Sequence, residues 1–354
     1  MRPTTLLRLA AAATLLAAAA PLLAQEGDGA AIDWIALALG MIGGLALFLF
    51  GVDILADSLR SAGGDRIKHL MERAARNRFG ALGVGTAATV ALDSSSVVII
   101  LVIALVDSGL LAFALALPVI LGANIGTTFS SQVFAWNVDE WAPLLLLVGV
   151  IARLVARREG WKRGATAVIG LGMVLYGLNL IGSAAEPLEQ HPAIIGWLKS
   201  LGEQPLLGVA AGMLVTVAIQ SSSAMMGIVV TLAGGGLVTL PAGLAMMLGA
   251  EIGTCADTLV ATAGRSRAAV KAGLFHLLFN IASVSVGIAL LDPLQAFATW
   301  SAGDTGQRIA NAHVFFNVAG ALIALPFVRT FAALLERLAP EKQDQGALSE
   351  VNAG

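Results

Sequence analysis

"GTAATVALDSSS", residues 85–96, returns as "GMLVTVAIQSSS" at 212–223, 127 residues later. At the same offset "LGANIGTT" (121–128) lies on "LGAEIGTC" (248–255), and 18 of the 44 positions from 85 to 128 are identical without a gap. Apolar segments match leucines and alanines by chance, but not a serine triplet and a Gly-Ala-x-Ile-Gly-Thr run at one constant offset. Further out, "LFLFGVD" (47–53) resembles "MVLYGLN" (173–179) at an offset of 126. The chain therefore carries two copies of one unit.

The surroundings of these copies are apolar. Of 354 residues 57% are hydrophobic and 12% charged, and the mean hydropathy is +0.85. That composition is a membrane protein's. Runs of about 20 apolar residues, the length a spanning helix needs, recur so closely that no soluble domain fits between them. The net charge of −2 says little about partners, nothing points to nucleic acid, and a single cysteine, Cys255, excludes an intrachain disulfide or a cysteine metal cage.

Residues 1–24 read as a signal peptide, with Arg2 and Arg8 before an Ala/Leu run; an uncleaved first helix is the competing reading. Residues 25–340 form one transmembrane transport domain and 341–354 a short cytoplasmic tail. Basic loops mark the cytoplasmic side: Arg60 to Arg78, Arg153 to Arg163, Arg265 to Lys271, and Arg329 to Lys342. "NVDEW" (137–141), "EPLEQHP" (186–192) and the stretch from Asp292 to Asp304 are acidic or neutral and belong outside. The mature N-terminus is thus outside and the C-terminus cytoplasmic.

Residues 80–135 start inside and end outside yet hold two apolar stretches, 80–106 and 110–135. One must fail to cross, and the stretch with Asp93 to Ser96 in its middle is the natural re-entrant hairpin, because irregular backbone at membrane depth survives only inside protein or beside water. Residues 205–262 repeat the pattern with the sides exchanged. The expected architecture is an all-α membrane protein with about seven full spans: an inverted-repeat secondary transporter with two re-entrant hairpins and broken helices. Repeat 1 covers about 43–156, repeat 2 about 170–283, and an extra C-terminal span about 306–329.

A helix broken in a bilayer frees N–H and C=O groups that must find partners, and a cation or an oxyanion can be that partner. Gly122, Gly126, Gly249 and Gly253 let backbone approach closely or turn at such breaks; the blander reading is close packing between helices. Lone serines in membrane helices commonly bond one turn back, but two aligned triplets favour ligation.

At these residues the chain resembles the type II sodium/phosphate cotransporter family, in a bacterial short form without the C-terminal soluble regulatory domain. Gln220 to Ser223 match its QSSS motif, and Gly122, Asn124, Ile125, Gly126, Thr127 and Thr128 its GxNIGT-type motif. The resemblance covers roughly residues 35–330 and includes two H-x-x-F-N segments, His276/Phe279/Asn280 and His313/Phe316/Asn317. It implies symport of inorganic phosphate with sodium by alternating access in a bacterial inner membrane. Substrate would be held by Ser94, Ser95, Ser96, Gln220, Ser221, Ser222 and Ser223. Cations would be held by Asp93, Asn124, Gly126, Thr127, Thr128, Glu251, Gly253 and Thr254, with sodium at Asp93, Asn124, Gln220 and Glu251. No cofactor is implied besides the coupling ions; lipid surrounds the chain, and a homodimer is left open.

Two positions depart from the family pattern: Asp93 stands for glutamine and Glu251 for asparagine. If each hairpin faces the broken helix of its own repeat, Asp93 joins Asn124 and Gln220 joins Glu251. A buried carboxylate strengthens cation coordination and repels phosphate, so proton coupling, another anion, or a transport-deficient sensor or adaptor are the alternatives. The His/Asn pairs lie on one helical face each and read as interhelical glue rather than ligands. Asp107 reads as an interfacial cap, and Asp257 as either a site residue or a helix end. A serine hydrolase needs a base beside its serine, and no histidine falls inside either motif, so an enzyme is not expected.

Overall fold

The computed structural model describes residues 33–74, 77–136 and 141–338. The signal segment 1–24, the loop 137–140 and the tail 341–354 lie outside the described residues. Among the described residues there are helices and no strand. Six are long and apolar enough to cross a membrane: Trp34–Ser58, Phe113–Ala135, Glu159–Leu188, Leu240–Val260, Arg267–Ala289 and Thr305–Arg337. The protein is an all-α membrane protein. Ala142–Val155 is a shorter apolar helix of 14 residues.

Repeat 1 runs through α1 (Trp34–Ala74), α2 (Arg78–Leu92), α3 (Ser95–Asp107), α4 (Phe113–Ala135) and α5 (Ala142–Val155). Repeat 2 follows with α6 (Glu159–Ala185), α7 (Pro192–Glu203), α8 (Pro205–Ile219), α9 (Ser222–Gly234), α10 (Leu240–Gly253), α11 (Cys255–Val260) and α12 (Arg267–Ala289). The chain ends in α13 (Leu291–Ser301), α14 (Thr305–Ala324) and α15 (Val328–Leu338). α7 meets α8 at 105° across Gln204, delivering the chain into the second hairpin.

Both hairpins turn by the same local chemistry. Asp93 (φ 48°, ψ 37°) and Gln220 (φ 57°, ψ 35°) are the two non-glycine residues with positive φ among those described. A left-handed non-glycine residue costs roughly 1–2 kcal/mol, so the surroundings must hold it there. The next residue is extended and caps the new helix: Ser94 Oγ accepts from Val97 N at 3.3 Å, and Ser221 Oγ from Ala224 N at 3.1 Å. Gly109 and its repeat mate Gly236 both take positive φ in the exit turn, which a Cβ would resist.

The glycine motifs act in helix packing. α4 runs unbroken through Gly122 to Thr128, and α10 is interrupted only at Thr254 before α11. A Cβ on Gly85 would overlap the carbonyl oxygen of Val119, and one on Gly122 that of Leu82. Gly212 and Gly249 stand in the same way against Met246 and Val209. Each hairpin's first arm thus lies backbone to backbone on the helix that follows it, which in lipid is where association energy comes from. Of the breaks expected at these glycines, the one in the first half is absent, since α4 is continuous, and the one in the second half falls just past Gly253, at Thr254.

α1 and α6 cross by reciprocal glycine contacts. A Cβ on Gly44 would lie 2.9 Å from the Gly177 carbonyl oxygen, and one on Gly170 3.0 Å from that of Gly51. Residues 44 and 51 correspond to 170 and 177 at the 126-residue offset, so each contact is the other with partners exchanged. That reciprocity is what a twofold relation between the copies produces. Phe48 and Leu49, fully buried at this seam, fill it together with Leu178 and Ile181.

Candidate functional site

The expected ligands fall into two kinds of place. Asp93, at the first hairpin tip, accepts a hydrogen bond from Ser130 on α4. Gln220, at the second tip, is exposed. At the 127-residue offset Ser130 corresponds to Asp257 on α11, so the acid changes sides: repeat 1 has it on the hairpin, repeat 2 on the following helix. Asp257 accepts from Thr258 N at 3.1 Å.

The serine triplets divide. Ser94 and Ser221 are N-caps, while Ser95, Ser222 and Ser223 are buried in the first turns of α3 and α9 and Ser96 is half-buried. First-turn N–H groups lack intrahelical acceptors and, with the helix dipole, favour an anion. Thr127 and Thr128 bond back to the carbonyls of Ala123 (3.1 Å) and Ile125 (2.8 Å). Thr254, Gly126 and Gly253 are buried, the two glycines against Thr89 and Thr216.

Asn124 and Glu251 do not take the hairpin residues of their own halves as hydrogen-bond partners; this corrects the pairing expected from sequence. Asn124 Nδ2 donates to Asn280 Oδ1 at 2.7 Å. Glu251 Oε1 accepts from Asn317 Nδ2 at 2.6 Å and from His313 Nε2 at 2.9 Å. α12 and α14 each carry an Asn one turn beyond a His, and these pairs engage the two polar positions of the glycine motifs. The histidines complete the pattern: His276 Nδ1 reaches Thr258 Oγ1 at 3.0 Å and His313 Nδ1 reaches Ser131 Oγ at 2.7 Å. Ser131 and Thr258 are again equivalent at the 127-residue offset. α12 therefore binds Asn124 of the first half and Thr258 of the second, while α14 binds Glu251 of the second and Ser131 of the first.

Because Glu251 replaces an amide, the two imidazoles sit in different hydrogen-bond settings. A carboxylate oxygen only accepts, so His313 Nε2 donates to it, while Nδ1 lies within hydrogen-bond distance of the Ser131 hydroxyl. Around His276 the amide of Asn280 donates to Nε2 at 3.1 Å, and Nδ1 donates to Thr258, whose hydroxyl donates to the Cys255 carbonyl at 2.9 Å. Asn280 Nδ2 also reaches the Glu251 carbonyl at 2.7 Å. All these groups are buried. Buried polar groups in a membrane domain are costly and mark functional interiors.

Ser131, His313 and Glu251 form the serine–base–acid chain whose absence argued against a hydrolase. Ser131 is 0% exposed, so no substrate carbonyl reaches its oxygen. The geometry holds helices together rather than activating a nucleophile.

Sequence reading missed Ser130, Ser131, Gln132, Thr258 and the four His/Asn residues as a connected set. Gln132 Nε2 donates to Asn311 at 3.1 Å, and Gln307 bridges both side chains at 2.9 Å. The available clues were the polar "SSQ" at 130–132 inside an apolar helix and the 37-residue recurrence of H-x-x-F-N.

The chain is 28% identical over 298 residues to the uncharacterized protein YqeW of Bacillus subtilis, covering 84% of this chain and 97% of that one. It is 27% identical over 298 residues to the putative inorganic phosphate export protein YjbB of Escherichia coli K12, covering 83% and 54%; the chain spans about half the length of that relative. Over 97 residues it is 35% identical to the rat sodium-dependent phosphate transport protein 2A, covering 27% and 15%. No solved structure gives a significant match. The Na+/Pi-cotransporter family model matches residues 47–183 and 190–319, and the chain belongs to that family.

Proposed function

We propose that the protein moves inorganic phosphate across a bacterial inner membrane by alternating access, coupled to sodium in symport. The observation that carries this reading is the matched pair of hairpin tips, each a left-handed polar residue followed by a serine cap and a buried first turn. Phosphate is bound by the first-turn N–H groups and hydroxyls of Ser94–Ser96 and Ser221–Ser223. Sodium is bound beside the tips, by Asp93 with Ser130 and by Gln220 with the α11 end. Asn124 and Glu251 lie one layer behind, where exchange of their His/Asn partners would accompany movement of α12 and α14. The family is one of transporters, and the chain is not an enzyme.

The repeats are read as inverted in the membrane. Hairpin 2 leads into α10, and the Leu240–Val260 span then carries the chain to the 261–266 turn, where hairpin 1 ends: Asp107 accepts from Ser266 N at 2.7 Å. The open ends of the two hairpins are thus at opposite ends of one span. Basic residues at 153–163 and 265–271 put the hairpin 1 end in the cytoplasm.

The test is uptake of labelled phosphate into proteoliposomes with sodium and proton gradients imposed separately, competed by sulfate and dicarboxylates. Sodium-driven, phosphate-selective flux is expected; flux indifferent to sodium sinks the coupling, and failure of phosphate to compete sinks the substrate. Because the Escherichia coli relative is described as a putative exporter, the same vesicles loaded with phosphate measure efflux.

A further inference from the structure

The two hairpins, alike at their tips, differ at their open ends. Asp107 closes hairpin 1 and corresponds to Gly234 in hairpin 2; Phe113, just past the exit turn, corresponds to Leu240. Asp107 Oδ1 takes the Ser266 amide at 2.7 Å, capping α12 from another element, while Oδ2 lies 3.3 Å from Arg265 Nη1. Lys271, buried one turn into α12, sits 5.3 Å over the Phe113 ring, a cation–π geometry. The exit turn of hairpin 1 is thus pinned to α12 at two points.

Neither pin has a counterpart at the other end. α14 repeats α12 at an offset of 37, which places Ala302, Gly303 and Arg308 where Arg265, Ser266 and Lys271 stand. Glycine and alanine cannot form the ion pair, Leu240 offers no ring, and Arg308 Nε is spent on the Ala302 carbonyl at 2.8 Å. Hairpin 2 meets α14 through backbone packing, where a Cβ on Gly306 would lie 2.6 Å from the Val230 carbonyl oxygen, and beside it is a cavity of about 230 Å³ between α4, α6 and α9, with Gly234, Gly235, Thr231 and Asp304 on its wall. Asp304 Oδ1 caps its own helix at Gln307 N, 2.9 Å away.

We propose that Asp107, Arg265 and the Phe113–Lys271 pair form the cytoplasmic gate of the transporter, latched in this structure, and that hairpin 2 moves without such a latch. Asp107 acts through Ser266 and Arg265 and is a positioning residue: it sets which side of the site is open and does not touch phosphate. The inference rests on the transport reading for its purpose and on the basic loops for its sidedness.

The test joins a lock and an access measurement in native vesicles. Cysteines at Asp107→Cys with Ser266→Cys, oxidised to a disulfide, should stop phosphate flux, and reductant should restore it; an oxidised, cross-linked protein that transports at the reduced rate overturns the gate. Separately, a reporter at Val97→Cys, on the first turn of α3, is labelled by a membrane-impermeant maleimide in inside-out vesicles. Asp107→Asn should raise that labelling rate by about two- to five-fold, the scale of one partly exposed ion pair. An unchanged rate overturns the proposal even where the double cysteine variant fails to fold. Labelling needs no substrate, so a positive result with no phosphate flux refutes the transport reading and leaves the latch standing.

Discussion

Glu251 on α10 accepts from His313 Nε2 on α14 at 2.9 Å, and His313 Nδ1 is hydrogen-bonded to the hydroxyl of Ser131 on α4 at 2.7 Å. One imidazole therefore ties the glycine-motif helices of both repeats. In the other half the corresponding link runs through Asn124, Asn280 and His276.

Glu251→Ala should leave His313 Nε2 buried without its acceptor, at about 1–3 kcal/mol, and leave Asn317 Nδ2 only the 3.2 Å bond to the His313 carbonyl. Thermal unfolding in detergent is expected to show a clear loss of stability. Glu251→Gln keeps an acceptor oxygen and should lose much less; equal losses would show that the network is not what stabilises this seam.

The imidazoles should be distinguishable by spectroscopy. Nitrogen-15 spectra of labelled histidine are expected to show His276 protonated at Nδ1 and His313 at Nε2, assigned by His276→Gln and His313→Gln. In Glu251→Asn, which gives the second half the amide of the first, the His313 tautomer loses its carboxylate acceptor; identical tautomers in the wild-type protein would contradict the network.

Asp93→Asn separates charge from conformation, since asparagine tolerates the left-handed backbone and still accepts from Ser130. The half-activating sodium concentration should rise by about tenfold, equivalent to about 1.4 kcal/mol of lost cation attraction, with stability little changed. A sodium curve that does not move would remove Asp93 from the cation site.

Gly122→Ala and Gly249→Ala should each cost about 1–3 kcal/mol by forcing a hairpin arm off the helix that follows it. Gly83, whose added Cβ meets nothing within 4 Å, is the control: Gly83→Ala should be neutral or stabilising by up to about 1 kcal/mol. Denaturation midpoints of the three variants decide it.

Serines within one triplet should separate by role. Ser94→Ala and Ser221→Ala lose an N-cap, about 0.5–2 kcal/mol of stability. Ser96→Ala and Ser223→Ala should weaken phosphate affinity with the midpoint unchanged.

Much of this was legible in the chain. The offset of 127 located both hairpins because a duplicated unit keeps its turn chemistry, and the serine and glycine runs carry that chemistry locally. Asp93 and Gln220 stood out as polar residues at the tips, yet their left-handed backbone was not readable, since no glycine marks it. The hydrogen-bond partners of Asn124 and Glu251 were not readable because they lie 156 residues away at Asn280 and 62 and 66 residues away at His313 and Asn317.

By itself the sequence determined the membrane setting, the duplication, the two interrupted apolar stretches and the family, all of which depend on composition and local periodicity. Only the tertiary structure decided which helices the motif residues face. Helix packing in lipid is set by where small residues let backbones touch, and the buried polar groups then pair with whatever that packing brings within hydrogen-bond reach. That is why the two helices carrying H-x-x-F-N, α12 and α14, rather than the hairpins, hold Asn124 and Glu251.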